Sequence, residues 1–374
     1  MRVLIAGDFC PRGRVVEAFD KEDYASVLAD VKELTASADW SIVNLECPII
    51  TGSADPIEKK GPNLHCSSKG VKALQYVGFK CVTLANNHFL DYGDKGARET
   101  ITTLERYSID HVGGGMNLEE ASKILYKDVD GKCLAVINCC ENEFSIATDT
   151  TAGCNPLNPV KQYYAIHEAR QRADRVLVIV HGGHEHYRLP SPRMVDTYRF
   201  FIDAGADAVV NHHQHCFSGY EVYQGKPIFY GLGNFCFDKK SHRDDFWNYG
   251  YLVEIDFESF SPSFVLYPYR QCGNEPRIEL LNKDEFSDVL VSINTVISDK
   301  LQLREAVDTY YDSCRGQYES IFEPFYNKFY LAAKNRGLLP SFISRKRKLA
   351  AYNYVQCESH RDKLTHLLQV KKTR

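Results

Sequence analysis

Apolar residues along this chain repeat with two periods. Short β-branched runs at residues 3–6, 40–45, 80–84, 133–138, 176–180 and 208–210 read as buried strands. Between them, residues 25–35, 70–77, 96–107, 162–172 and 193–204 place apolar side chains every three or four positions, the spacing of a helix that packs on one face. Strand and helix therefore alternate to about residue 210, which predicts an α/β sheet with crossover helices.

After Asn211 the texture changes. Residues 220–222, 227–230, 251–257 and 264–270 alternate as strands and are joined by turns such as Gln224-Gly225-Lys226, a hairpin-rich second sheet segment. From about Asp284 the period becomes helical, with helices expected over 285–292, 299–310 and 317–334 and breaks near Gly337 and Pro340. The expected organisation is an α/β domain over residues 1–280 and a helical C-terminal region with a basic tail over 281–374.

Composition narrows the class. With 374 residues, 44% hydrophobic and 25% charged, the chain can bury a large core without disulfide staples. A net charge of −4 is too mild to make nucleic acid or a membrane the main partner. From Leu339 onward nine Lys/Arg face two Asp/Glu, so a basic tail follows an acidic body. Its run Arg345-Lys346-Arg347-Lys348 could sit on an acidic membrane surface, on nucleic acid or on the body itself; a solvated helix end is the simpler reading. Thirteen cysteines without a Cys-x-x-Cys pair point to free thiols in a reducing compartment. Only about five apolar residues precede Asp8, too few for a secretory signal, and no run nears the roughly 20 apolar residues that span a bilayer. A cytoplasmic location is the expectation.

The candidate chemistry is positional. Gly7-Asp8, Asn44-Leu45-Glu46, Asn86-Asn87-His88, His181 through His186 and Asn211 through His215 all follow expected strands, where open α/β sheets place their sites. Carboxylate, amide oxygen and imidazole together suit Mn²⁺, Fe²⁺ or Zn²⁺. Five such loops are more than one ion needs. Two ions sharing a carboxylate would use them and would clamp a phosphoryl group, so the pattern predicts metal-assisted hydrolysis.

At this point the residues resemble a known family. Ala85-Asn86-Asn87-His88-Phe89-Leu90-Asp91-Tyr92-Gly93, Asn44-Leu45-Glu46, His213-Gln214-His215 and Gly225 through Phe235 look like the signatures of the CapA (poly-γ-glutamate capsule synthesis) family, a branch of the calcineurin-like metallophosphatase superfamily. The resemblance runs over roughly residues 1–240. It implies a four-layer αββα sandwich of two mixed sheets with a two-metal site across the sheet edge. By motif, Asp8 and His215 would hold one ion, Glu46 would bridge, and Asn87, His181 and His213 would hold the second. His88 would face the substrate, with Asp91 as the candidate carboxylate that orients it.

Three departures qualify the transfer. Phosphatases of the superfamily usually begin Asp-x-His where this chain has Asp8-Phe9-Cys10, and Cys10 reads more readily as a small buried residue than as a ligand. Where CapA proteins usually read His-Trp-Gly-x-Glu, this chain has His181-Gly182-Gly183-His184-Glu185. The N-terminal membrane anchor common in that family is not evident. Arg12 and Arg14, with Lys59 and Lys60, are candidate contacts for an anionic substrate, either a phosphoester or a polyanionic polymer. The competing reading is a non-catalytic polymer-binding or assembly protein that keeps the fold. Oligomeric state is not legible.

Overall fold

The computed structural model describes residues 1–282, 284–314, 318, 329, 332, 333, 336–339 and 343–368. Its strands are β1 (Arg2–Phe9), β2 (Trp40–Leu45), β3 (Cys81–Thr83), β4 (Asp110–Val112), β5 (Gly114–Gly115), β6 (Leu125–Val129), β7 (Lys132–Cys140), β8 (Gly153–Cys154), β9 (Arg175–His181), β10 (Ala208–His212), β11 (Tyr220–Tyr223), β12 (Lys226–Phe229), β13 (Asn234–Cys236), β14 (Tyr249–Asp256), β15 (Ser263–Gln271) and β16 (Ile278–Leu280). Its α-helices are α1 (Arg14–Asp20), α2 (Ala25–Leu28), α3 (Lys32–Ser37), α4 (Ser68–Val77), α5 (Gly93–Arg106), α6 (Leu118–Ala121), α7 (Pro159–Arg172), α8 (Pro192–Asp203), α9 (Asp284–Ser298), α10 (Lys300–Ser313), α11 (Arg345–Gln356) and α12 (Glu358–Leu367).

Two mixed sheets form the centre. One is eight-stranded, ordered β16-β15-β14-β1-β2-β3-β4 with β13 paired to β1; the other is six-stranded, ordered β11-β12-β10-β9-β7-β6. In β1 the side chains alternate between two cores. Val3 and Ile5 lie in one core with Leu177 and Ile179 of the other sheet, while Leu4 and Ala6 lie in the core shared with α1, α4 and α5. Helices α7 and α8 cover the far face of the second sheet through Ile166, Tyr198 and Phe201. The result is the expected four-layer αββα sandwich, and burial on both faces explains why these strands read as continuous apolar runs.

The strands after Asn211 do not form a sheet of their own. The β11–β12 hairpin edges the six-stranded sheet, turning at Gln224 and Gly225 with φ of 51° and 75°, whereas β14, β15 and β16 extend the other sheet beside β1. The helix expected over 317–334 falls almost wholly outside the described residues. The basic run Arg345-Lys346-Arg347-Lys348 forms the first turn of α11, capped by Ser344, and Arg345 pairs with Glu58 at 2.5 Å on the body of the protein. Among the described residues, no helix is long and apolar enough to cross a membrane.

Candidate metal centre

The parallel strands of both sheets deliver their C-terminal ends to one edge. Asp8 lies near the end of β1, Glu46 directly follows β2, Asn87 and His88 follow β3, His181 ends β9, and His213 and His215 follow β10. Close backbone approach sets the first of these. A Cβ on Gly7 would stand 1.9 Å from the Gly233 carbonyl oxygen, so glycine is required where Asp8 N–H donates to that same oxygen at 3.0 Å. In the last loop His213 and His215 adopt φ of 96° and 56°, a left-handed backbone that side chains other than glycine, Asn and Asp rarely occupy.

Glu46 is the centre of the cluster. It is fully buried, and neither carboxylate oxygen has a hydrogen-bond partner among the described residues. Its Oε1 lies 3.5 Å from His181 Nε2 and its Oε2 lies 3.7 Å from His215 Nδ1. On one side, His181 Nε2 also stands 3.0 Å from His213 Nδ1 and 3.1 Å from Asn87 Oδ1. On the other, Asp8 Oδ2 lies 3.8 Å from His215 Nδ1, while Asn44 Nδ2 donates to Asp8 Oδ1 at 2.7 Å. Two trios with ligand atoms within 4.8 Å of one another result, Glu46-His181-His213 and Asp8-Glu46-His215, and they share Glu46.

This donor set fits divalent cations. One proton on His181 Nε2 can satisfy only one of the three acceptors around it, whereas a cation there satisfies all of them. Burial, and then the neighbouring Asp8, push the Glu46 carboxyl well above its ordinary range. Burial and the adjoining imidazoles hold His181 well below its own, and burial brings His215 down to about 4. His181 and His215 are therefore neutral near pH 7, the state in which imidazoles ligate.

His88 sits beside the trios. Its Nδ1 lies 2.6 Å from Asp91 Oδ2, and the other Asp91 oxygen pairs with Lys59 Nζ. Leu64 N–H also donates to Asp91 Oδ2, at 2.6 Å. Burial, then the Lys59 charge, lower the His88 pKa against the opposing pull of Asp91. The remaining sequence candidates are not brought into the cluster. Arg14 donates to Asp238 and to the carbonyls of Cys272, Gly273 and Asn274, which ties α1 to the end of β15. Arg12 lies 5.8 Å over the Phe237 ring. Cys10 is buried among apolar residues and falls in neither trio.

Residues 2–239 match the family model described as "Bacterial capsule synthesis protein PGA_cap". The chain belongs to this family. It is 33% identical over 247 residues to the capsule biosynthesis protein CapA of Bacillus anthracis, covering 64% of this chain and 60% of that one. It is also 34% identical over 231 residues to the PGA biosynthesis protein CapA of Bacillus subtilis strain 168, covering 61% of each. The chain thus spans about three fifths of the length of these relatives. A crystal structure of a hypothetical protein from Thermus thermophilus overlays with a TM-score of 0.46 at 16% identity, covering 72% of this chain and 99% of that chain.

Helices outside the PGA_cap match complete the surroundings of the site. A cavity of about 460 Å³ is lined on one side by Asn87, His88, Glu185 and His213, and on the other by Tyr310 of α10, Tyr318, and His360 and Lys363 of α12. Glu185 also faces the cavity. An anchor fixes α12 over the site: Arg193 of α8 donates to Glu141 at 2.6 Å and to Asp362 at 2.7 Å, and Ser359 donates to Glu141. Sequence reasoning placed Glu185 in the candidate loop His181 through His186 but gave it no role. It missed the α12 residues for want of any signal beyond helical period.

Proposed function

We propose that this chain is a divalent-metal-dependent hydrolase of phosphoester type, working in production of a bacterial capsule or poly-γ-glutamate polymer. The single observation that carries the reading is Glu46, a fully buried carboxylate with no hydrogen-bond partner among the described residues, shared between the Asp8-His215 and His181-His213 ligand sets. An unpaired buried carboxylate is costly, and its retention calls for cations on both sides. Asp8, Glu46 and His215 would hold one ion; Glu46, Asn87, His181 and His213 would hold the other. Such ions, when bound, polarise a phosphoryl oxygen and lower the pKa of water.

The chain's own groups do the rest. Asp91 accepts the Nδ1 proton of His88 and so fixes the tautomer, leaving Nε2 free to exchange a proton with the leaving-group oxygen. The α/β region to residue 280 is the reacting unit, and the helices beyond it close the cavity. Thirteen cysteines without a disulfide accord with a reducing, cytoplasmic setting. A second reading, a non-catalytic polymer-binding protein, draws on Cys10: lying in the core, it leaves the first trio without the usual Asp-x-His ligand.

Metal content per chain by plasma mass spectrometry, paired with hydrolysis of an aryl phosphate in Mn²⁺, tests the proposal. Close to two ions, falling in Glu46→Gln and His213→Ala together with the rate, is the expected result. No bound ion after Mn²⁺ or Zn²⁺ is added back would overturn it.

A further inference from the structure

The cavity wall opposite His88 and His213 carries two ammonium groups that form no ion pair among the described residues. Lys363 is 7% exposed; its Nζ donates to the Tyr310 hydroxyl at 2.9 Å and lies 4.7 Å and 5.5 Å from the ring centres of Tyr310 and Tyr318. Lys60 donates to the Tyr354 hydroxyl and lies 4.0 Å over that ring. Tyr318 and Tyr354 stack at 4.4 Å, so one aromatic wall joins the two cations. Neither lysine has a carboxylate within 4.0 Å among the described residues. Lys59, in the same cavity, is instead neutralised by Asp91.

Burying an ammonium costs free energy unless a counter-charge or hydrogen bonds offset it, and each of these uses one of three donors on a phenol. Their spare donors face a space that also reaches His88 and His213. Of the acidic groups on the cavity, Glu143 accepts from Asn353 Nδ2 at 3.4 Å, and neither it nor Glu185 pairs with Lys60 or Lys363. We infer that Lys60 and Lys363, on the wall completed by the C-terminal helices, form an oxyanion subsite for a carboxylate or phosphate group of the substrate, remote from the bond that reacts. Ammonium groups act as point charges without the fork geometry of arginine, so the subsite selects charge rather than oxyanion shape. The inference rests on the cavity being a substrate pocket. It predicts an oligoanionic ligand in preference to a singly charged one.

Binding of two probes, a γ-linked glutamate trimer and tripolyphosphate, to the full chain would be measured by titration calorimetry. Each is run with metal added and with chelator present. Lys363→Met and Lys60→Gln are each expected to weaken binding of the tighter probe at least 10-fold, with Lys363→Arg retaining most of it and thermal melting unchanged for Lys60→Gln. The same loss in a His213→Ala background supports the subsite even if no hydrolysis is ever found. Equal affinity of the tighter probe for wild type and Lys60→Gln, binding that survives both substitutions, or binding of neither probe to the wild type overturns it even where the protein hydrolyses aryl phosphates. The stronger of the two probes names the oxyanion.

Discussion

Asp91 holds His88 with one oxygen, Oδ2 at 2.6 Å from Nδ1, and Lys59 with the other. Substituting each end separates chemistry from stability. His88→Gln should lower aryl phosphate turnover by about 10²–10⁴-fold with little change in melting temperature. Asp91→Asn should lower turnover and also cost about 3–5 kcal/mol, because it strands the buried Lys59 ammonium. Steady-state rates and chemical denaturation on both variants check this; a destabilised His88→Gln with normal turnover would refute it.

Glu46→Gln should act with opposite sign in the presence and absence of metal. In chelator, the substitution removes a buried carboxylate pressed by Asp8 and should raise stability by about 1–3 kcal/mol. With Mn²⁺ present it removes the shared ligand, and the variant should melt below the wild type. Thermal unfolding in EDTA and in Mn²⁺ reads both arms.

The left-handed backbone at His213 gives a test independent of ligation. At φ of 96° a Cβ is strained, so His213→Gly should be more stable than His213→Ala by about 1 kcal/mol, the reverse of the usual order in ordered structure. Denaturant midpoints of the two variants in chelator decide it, since both lack the imidazole.

His360 links stability to pH. Burial, then the Lys363 and Lys60 charges, bring its pKa down to about 3, whereas in the unfolded chain it is about 6.5. Between those values the unfolded state binds the extra proton, so stability falls as pH drops below about 6.5 and stops falling near 3. The contribution to the slope is up to about 1.4 kcal/mol per pH unit. His360→Gln should flatten the stability curve between pH 6 and 4; an unchanged slope there would count against a neutral, enclosed imidazole.

Elements buried on two faces were the most legible. The runs at 40–45, 133–138 and 176–180 match β2, β7 and β9 to within two residues, because a strand covered by a sheet on one side and helices on the other has no polar positions to blur it. Short or edge strands such as β4, β13 and β16 gave no usable period, and α1 was not among the expected helices. In the site, motif order placed Glu46, His181, His213 and His215 at one edge, yet Arg14 was read as a substrate contact. Only the fold reveals Asp238 as the carboxylate that occupies it.

The sequence by itself determined the layering, since alternation of apolar runs dictates which faces must be buried, and it determined which residue types end the strands. Tertiary structure decided what those residues meet. That Glu46 is left without a hydrogen bond, that His213 and His215 take a left-handed backbone, and that α12 carries Lys363 over the same cavity depend on contacts between positions more than a hundred residues apart. Local period encodes burial of a face, but not which distant charge lies across the space that face encloses.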